Sequence, residues 1–439
     1  MFTGWGQGFQ APQGWLLSAR CCSGGVVNLS PMVYRRAQKR AHTMRPYWAY
    51  TVNTPNSVFS SLKVRYDRLM ALTFLVLEPY HSGSHAAWLA GWQQHSAHHL
   101  QALTMPGNYW AWRMQGGAVT LARLYGESPF VSAPPALIIA SDMLNLTTFL
   151  ALTRRWTAAI PTALYFHENQ LTYPPGPRQK RDLKLGFINY ASALAADAVF
   201  FNSAFHRDEF LNELPRLLKH YADFTELQTV DQIAAKSQVL PVGIDLRRLD
   251  AYGSVDAKLP PTRPAILWNH RWEFDKNPAA FYHALCRLRE WDIPFDLILL
   301  GEDTSHSETL FQTIQREFAD CLLHAGYAQN DADYAHWLWQ AHIAVSCAWQ
   351  DFFGISAAEA IYCGCLPLLP RRLNYPDLLP ASQHERCLYS EGDLARALRH
   401  EIAALPVQPP DAALRQRVAA YDWSVLARVY DAAFEKIGL

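Results

Sequence analysis

Trp349-Gln-Asp-Phe-Phe-Gly-Ile-Ser-Ala-Ala-Glu-Ala-Ile-Tyr-Cys-Gly-Cys-Leu-Pro-Leu-Leu-Pro370 is the stretch on which the fold turns. It reads as a polar approach, a Phe-Gly break, an apolar helix from Gly354 to Tyr362, and a strand-length run, Leu366-Pro-Leu-Leu369. Ile343-Ala-Val-Ser346, just upstream, supplies a preceding strand. Strand, helix and strand in so short a span make a unit of parallel sheet. A helix opening after such a strand presents free N–H groups and a partial positive charge, a ready site for phosphate. Asp351 and Glu359 bracket the break. Glu359, on the helix, is placed to accept hydrogen bonds from sugar or ribose hydroxyls.

Outward from this stretch the pattern repeats. Ala265-Ile-Leu-Trp268 is a strand, followed by the loop Asn269-His-Arg-Trp-Glu-Phe-Asp-Lys-Asn-Pro278, a helix over Pro278 to Trp291, and the strand Phe295 to Leu300. The loop carries two cations, Arg271 and Lys276, suited to a leaving diphosphate whose charge grows in the transition state. A Pro-rich linker spans Leu259 to Pro264. Before it come Leu72 to Leu77, a helix over His85 to Leu103, and the strands Ala136–Ala140, Thr162–Phe166, Ala198–Phe201 and Gln238–Val242. Polar or glycine residues follow the carboxyl ends of these strands, which is where open α/β sheets bind ligands. The pattern predicts an α/β protein with two Rossmann-like domains facing across a cleft.

Composition narrows the classes. The chain has 439 residues, half of them hydrophobic and 18% charged, with 15 Trp and 27 Pro. There is ample apolar material for two cores, and no apolar run approaches the ~20 residues of a membrane span. Net charge is zero, but residues 1–69 hold nine Lys and Arg against the single acid Asp67. The remainder is acidic, with 30 basic and 38 acidic groups. The basic opening lacks helical or strand periodicity and is read as an extension upstream of a start at Met70; a transit peptide or a basic nucleic-acid arm are the alternatives. Eight cysteines form no Cys-x-x-Cys pair, which suits buried thiols in a reducing, cytoplasmic setting. Cys363-Gly-Cys365 is read as packing.

The layout around Asp351 and Glu359 resembles the Glu-x7-Glu signature of retaining glycosyltransferases of family 4, which have the two-domain GT-B fold. Asp351 stands where that family has its first glutamate. In such enzymes an Arg and a Lys grip the diphosphate, a role carried onto Arg271 and Lys276. Tyr165-Phe-His-Glu-Asn-Gln-Leu-Thr-Tyr-Pro174, with Tyr80-His-Ser-Gly-Ser-His85, Trp110-Ala-Trp-Arg113, Asp142-Met-Leu-Asn-Leu146 and Phe200-Phe-Asn-Ser203, resembles the tRNA-queuosine α-mannosyltransferases more closely. Tyr362-Cys-Gly-Cys365 through Tyr375-Pro376 matches the same family, and the resemblance runs in patches over about residues 71–437.

That resemblance implies transfer of mannose from GDP-mannose to the cyclopentenediol of queuosine in the anticodon loop of tRNA(Asp), with retained anomeric configuration. The catalytic set it implies is His167, Glu168, Arg271, Lys276 and Glu359, with His167 at a strand end facing the cleft. Donor contacts fall to Gly83, Asn269, Asp351, Phe353, Gly354 and Ile355. No metal or other cofactor is expected, nor a membrane. Arg154, Arg155, Arg178, Lys180, Arg181 and Lys184 form a basic cluster suited to tRNA phosphates, while Trp110, Trp112 and Tyr173, beside Arg113, are placed to stack on or hold loop bases. Alternatives are a family-4 transferase acting on a lipid or polysaccharide, an inactive RNA-binding relative, or a sugar-nucleotide epimerase. Asp331-Ala-Asp333 is read as capping a helix over Tyr334 to Ala341. His81, His85, His95, His98 and His99 are read as a solvated face and not a zinc cluster.

The domains are accordingly placed at 70–258 (acceptor), 259–420 (nucleotide-sugar donor) and 421–439 (a closing helix). A chain starting at Met70 is expected to fold and keep full activity, measured as thermal unfolding and sugar transfer beside the whole chain. Loss of folding on deletion refutes both the extension and the RNA-arm readings.

Overall fold

Apolar runs flanked by turn residues form two parallel sheets. In the computed structural model, which describes residues 71–176, 180–258, 261–301, 309–405 and 407–438, the first sheet holds six strands. These are β1 (Thr73–His81), β2 (His99–Pro106), β3 (Leu137–Ser141), β4 (Thr162–Phe166), β5 (Ala198–Phe201) and β6 (Ser237–Val239), in the order β2-β1-β3-β4-β5-β6. The second sheet holds β7 (Ala265–Asn269), β8 (Asp296–Leu300), β9 (Leu322–Gly326), β10 (Ile343–Val345), β11 (Leu366–Pro370) and β12 (Leu388–Tyr389), in the order β12-β11-β10-β7-β8-β9. Every pairing is parallel. The central strands β3, β4 and β5 are wholly buried, as a sheet covered on both faces requires. Residues 1–70, including the expected start at Met70, Arg178 and the start of the Pro-rich linker lie outside the described residues.

Strand order reverses between β1 and β3 in the first sheet and between β7 and β10 in the second. At such a switch point the adjacent loops diverge and leave a crevice at the carboxyl ends. Both crevices open on one cleft.

Three elements differ from the sequence reading. The helix expected over 85–103 runs from Gly83 to His95 and gives way to the edge strand β2. Ser96 adopts an extended backbone and breaks the helix, and Leu100 alternates as the buried residue between exposed His99 and Gln101. The strand expected over 238–242 is shorter and one residue earlier, its remainder serving as a link in which Leu240 and Val242 are buried. The helix over Asp331–Gln340 begins three residues before the expected start. Asn330 is its cap, accepting from the Asp333 N–H, so both aspartates lie in the first turn and complement the helix dipole.

The chain passes from the first lobe to the second near Ile244 and returns beside it. The Ile244 N–H donates to the Tyr421 carbonyl at 2.9 Å and the Trp423 N–H to the Ile244 carbonyl at 3.0 Å. The last helix, Trp423–Gly438, then packs on the Gly83–His95 helix of the first lobe. Tyr430 Oη accepts from Trp88 Nε1 at 3.1 Å and lies 2.8 Å from Tyr165 Oη. The six described cysteines are unpaired and five are buried; Cys363 and Cys365 are packed inside the second lobe. Among the described residues no helix is long and apolar enough to cross a membrane.

Asp431 is the polar anchor of the returning helix. It accepts from Trp92 Nε1 (3.0 Å), Ser96 Oγ (2.7 Å) and the Ala97 N–H (2.8 Å). Asp431→Ala strands these donors and is expected to cost about 3 kcal/mol of stability, read by urea denaturation.

Candidate active site

The cleft between the lobes has a volume of about 1530 Å³ and draws residues from both switch points. From the first lobe, the turn after β1 places Ser82, Gly83 and His85 in its wall. Gly83 opens the helix with φ of 50°, a left-handed conformation that a side chain would strain, and a Cβ there would meet nothing within 4 Å. Behind this turn lies a buried ionic cluster. His85 Nδ1 is 3.0 Å from Glu78 Oε2, and both residues are buried. Burial by itself would lower the His85 pKa, but the charge and hydrogen bond of Glu78, with Asp142 and Glu168 nearby, push it up to about 9.

The loop after β4 carries His167 and Glu168. Asp142 Oδ1, at the end of β3, accepts from the His167 N–H at 2.8 Å and from the Glu168 N–H at 3.4 Å. The His167 ring lies 4.1 Å from that of His85 and meets Trp88 and Tyr165 edge-on, each at 4.8 Å. Its Nε2 is buried without a partner, and burial, then the charges of His85 and His206, holds its pKa well below the usual histidine range. The structure therefore corrects the expectation that the His167 imidazole faces the cleft. The ring is turned onto the Gly83–His95 helix, and His85 holds the cleft wall instead. Glu168 does line the cleft, its Oε1 accepting from Gln170 Nε2 at 2.7 Å. Burial raises the Glu168 pKa against the opposing charges of His85, Arg271 and Lys276.

From the second lobe, the loop after β7 places Asn269 and Arg271 in the wall. Arg271 is 55% exposed and 3.3 Å from Glu273. Lys276 lies behind it, donating to the Gln350 carbonyl at 2.7 Å and paired with Asp275 at 3.2 Å. Its neighbour His270 is buried, and burial with the Lys276 charge lowers its pKa to about 4. On the Ile355–Tyr362 helix, Ile355 and Glu359 face the cleft. Glu359 is gripped from two sides. Arg248 donates to Oε1 at 2.8 Å and Tyr334 Oη to Oε2 at 2.7 Å, while Asn269 Nδ2 donates to Tyr334 Oη at 2.7 Å. Burial raises the Glu359 pKa and Arg248 and Tyr334 act against it.

Asp351, Phe353 and Gly354 are not in the cleft wall among the described residues. Asp351 accepts from Tyr375 Oη at 3.1 Å and from the Phe353 N–H at 3.4 Å, Phe353 is buried, and Gly354 (φ of 100°) turns the chain into the helix beside the Tyr375 ring. These three shape the loop that aims the helix terminus.

Of the residues expected to meet RNA, Trp110, Tyr173, Lys180 and Arg181 line the cleft. Trp112, 63% exposed, and Arg113, which donates to the Pro106 carbonyl, stand outside it on the same helix as Trp110. Lys184 is exposed on the Leu183–Ala195 helix. Arg181 also braces the loop after β4, donating to the Thr172 and Tyr173 carbonyls. Tyr173 crosses the cleft, its hydroxyl donating to Asp275 Oδ2 of the other lobe at 3.1 Å. Arg154 and Arg155 are exposed, Arg155 lying over the Trp156 ring.

The histidines after β1 are dispersed, with His98 on Glu435 at 2.8 Å and His95 on the Gly91 carbonyl at 3.0 Å. Glu78, His85 and His167 bring ligand-type atoms within 4.8 Å of one another, but the Glu78 and His85 atoms are already bonded to each other. Their ion pair accounts for them.

Known proteins match the chain in two ways. The family described as "tRNA-queuosine alpha-mannosyltransferase N-terminal" matches residues 73–244. A Drosophila melanogaster tRNA-queuosine alpha-mannosyltransferase is 32% identical over 312 residues, covering 70% of this chain and 81% of the relative. The chain belongs to the tRNA-queuosine α-mannosyltransferase family.

Its fold is GT-B. Sucrose-phosphate synthase from Thermosynechococcus elongatus superposes with a TM-score of 0.61 at 15% identity, over 83% of this chain and 98% of that one. The N-terminal domain of Candida albicans trehalose-6-phosphate phosphatase gives 0.60 at 11%, over 84% and 98%. This member of the tRNA-queuosine α-mannosyltransferase family is a glycosyltransferase. Arg248 and Tyr334 were not singled out in the sequence, and His85, read there as part of a solvated face, is instead buried against Glu78, whose charge draws it inward. His85 sat within a motif already quoted, and Tyr334 directly followed the Asp-Ala-Asp run.

Arg271→Ala is expected to lower turnover by about 10²-fold, the scale of losing one transition-state charge contact. Steady-state sugar transfer checks it, and a near-normal rate removes Arg271 from the site.

Proposed function

We propose that this glycosyltransferase moves mannose from GDP-mannose to the cyclopentenediol of queuosine in the anticodon loop of tRNA(Asp), with retention of configuration, in the cytoplasm. The observation that carries the reading is the match to the Drosophila enzyme, supported by a cleft whose wall includes Arg271 beside Glu359 and the start of the Ile355–Tyr362 helix. The donor diphosphate lies between Arg271, Lys276 and the amino terminus of the Ile355–Tyr362 helix, and Glu359 faces the ribose. The bond from the sugar C1 to the phosphate oxygen breaks, and a bond from C1 to a diol oxygen forms on the same face. The diol proton passes to the departing phosphate oxygen, whose charge Arg271 and Lys276 hold. Two cations and a helix terminus supply the positive charge, so no divalent metal is needed.

Lys180, at the cleft mouth, and Lys184, on the neighbouring helix, contact phosphates beside the anticodon base, and Trp110 offers it a stacking face. The acceptor is expected to be an extruded loop base, the form in which single-stranded loops present a base edge to a cleft.

Queuosine-containing tRNA incubated with each sugar nucleotide, digested and analysed by mass spectrometry, is expected to gain one hexose with GDP-mannose, with EDTA present or absent. Lys180→Glu with Lys184→Glu is expected to weaken tRNA binding and flatten its salt dependence, by about one unit of log–log slope per lost phosphate contact. Hexose transfer with another nucleotide sugar replaces the donor. Transfer to free queuosine, insensitive to the two reversals, replaces the RNA acceptor with a small molecule.

A further inference from the structure

Among the buried groups behind the cleft, the pair formed by Glu78 and His85 has no role in the chemistry above. Its geometry is specific. Glu78 sits near the end of β1 with Oε1 accepting the Tyr80 N–H at 2.8 Å and Oε2 bonded to His85 Nδ1 at 3.0 Å. Both carboxylate oxygens are thus committed, and Glu78 is fully buried. His85 stands in the first turn of the following helix and lines the cleft at the first-lobe switch point. A carboxylate only accepts, so Nδ1 keeps its proton, and any proton exchanged by this ring comes from Nε2.

We propose that His85 is the first lobe's hydrogen-bond donor to the acceptor, its Nε2–H holding the diol oxygen that is not glycosylated, and that Glu78 is the positioning residue that fixes its tautomer. A donor at that oxygen leaves the neighbouring hydroxyl free to attack and orients it toward C1. Only the identity of the bound oxygen rests on the queuosine reading. His85 does not act as the base, because the group that receives the acceptor proton is the departing phosphate. The charged and titratable groups facing it are Glu78 and Tyr80 from β1, Asp142 after β3, and His167 and Glu168 after β4. With His85 raised to about 9, Nε2 is a donor below that pH and becomes an acceptor above it.

The test is the pH dependence of kcat/KM for the acceptor. The wild-type chain is expected to lose activity as pH rises through about 9. In Glu78→Gln the carboxylate charge is gone and burial pulls the His85 pKa down, so the alkaline limb is expected to fall by more than ~1 pH unit, and activity to return on acidification. In His85→Gln, whose amide donates at every pH, the limb is expected to vanish and leave a lowered, flat profile. A Glu78→Gln profile superimposable on the wild type, a uniform loss that acid does not relieve, or a limb near 9 persisting in His85→Gln overturns the proposal. Should the wild-type chain glycosylate an acceptor other than queuosine, the same limb and shift are expected with that acceptor, so the queuosine reading can fail while the Glu78–His85 pair stands.

Discussion

The paired backbone hydrogen bonds between Ile244 and the Tyr421–Trp423 turn are the constraint on which the rest depends. They bring the outgoing and returning passages of the chain side by side. Asp422 between them accepts from the Leu246 and Arg247 N–H groups at 2.9 and 3.0 Å, so the crossing is fastened by side chain as well as backbone. All strands of a parallel sheet end on the same edge, so the loops that follow them gather there. With two such sheets joined at this crossing, both loop edges meet on one cleft. The returning helix then closes over the first lobe, its Tyr430 hydroxyl set among Trp88, Tyr165 and the Pro241 carbonyl.

Electrostatically the two lobes are unlike. The first concentrates the buried acids Glu78 and Asp142 and the half-buried Glu168 around one protonated imidazole. The second offers cations whose partners are themselves tied down, such as Lys276 held by Asp275 and Gln350. Burial raises the pKa of Asp142, Glu168 and Glu359 alike. Charges so desolvated interact strongly over the short distances of a cleft from which water is partly excluded.

Much of the scaffold was legible because its signals are local. Thr162–Phe166 and Ala198–Phe201 are apolar runs bounded by turn residues, and each is a strand over just that span. Where two periods competed, the reading failed. His99–Pro106 follows a helix without a glycine or proline between them, and its conversion to a strand depends on Ser96 and Ala97 being held by Asp431, more than 330 residues away. The site divides in the same manner. Arg271 and Glu359 were singled out from the loop and helix that carry them, and both line the cleft. Arg248 and Tyr334 were not, because their purpose is a contact with Glu359 across 111 and 25 residues. His167 was misjudged for a related reason: the motif marks the right loop, but the direction of the ring is set by Trp88 and Tyr165 on other elements.

The Tyr173–Asp275 hydrogen bond spans the mouth of the cleft from one lobe to the other. Asp275 is almost wholly buried and its second oxygen already lacks a partner. Drawing the lobes apart therefore strips a desolvated carboxylate of its hydroxyl and leaves that oxygen to Lys276 alone. One phenol thus ties the two lobes at a desolvated acid, so parting them at this point costs more than parting a water-exposed contact would.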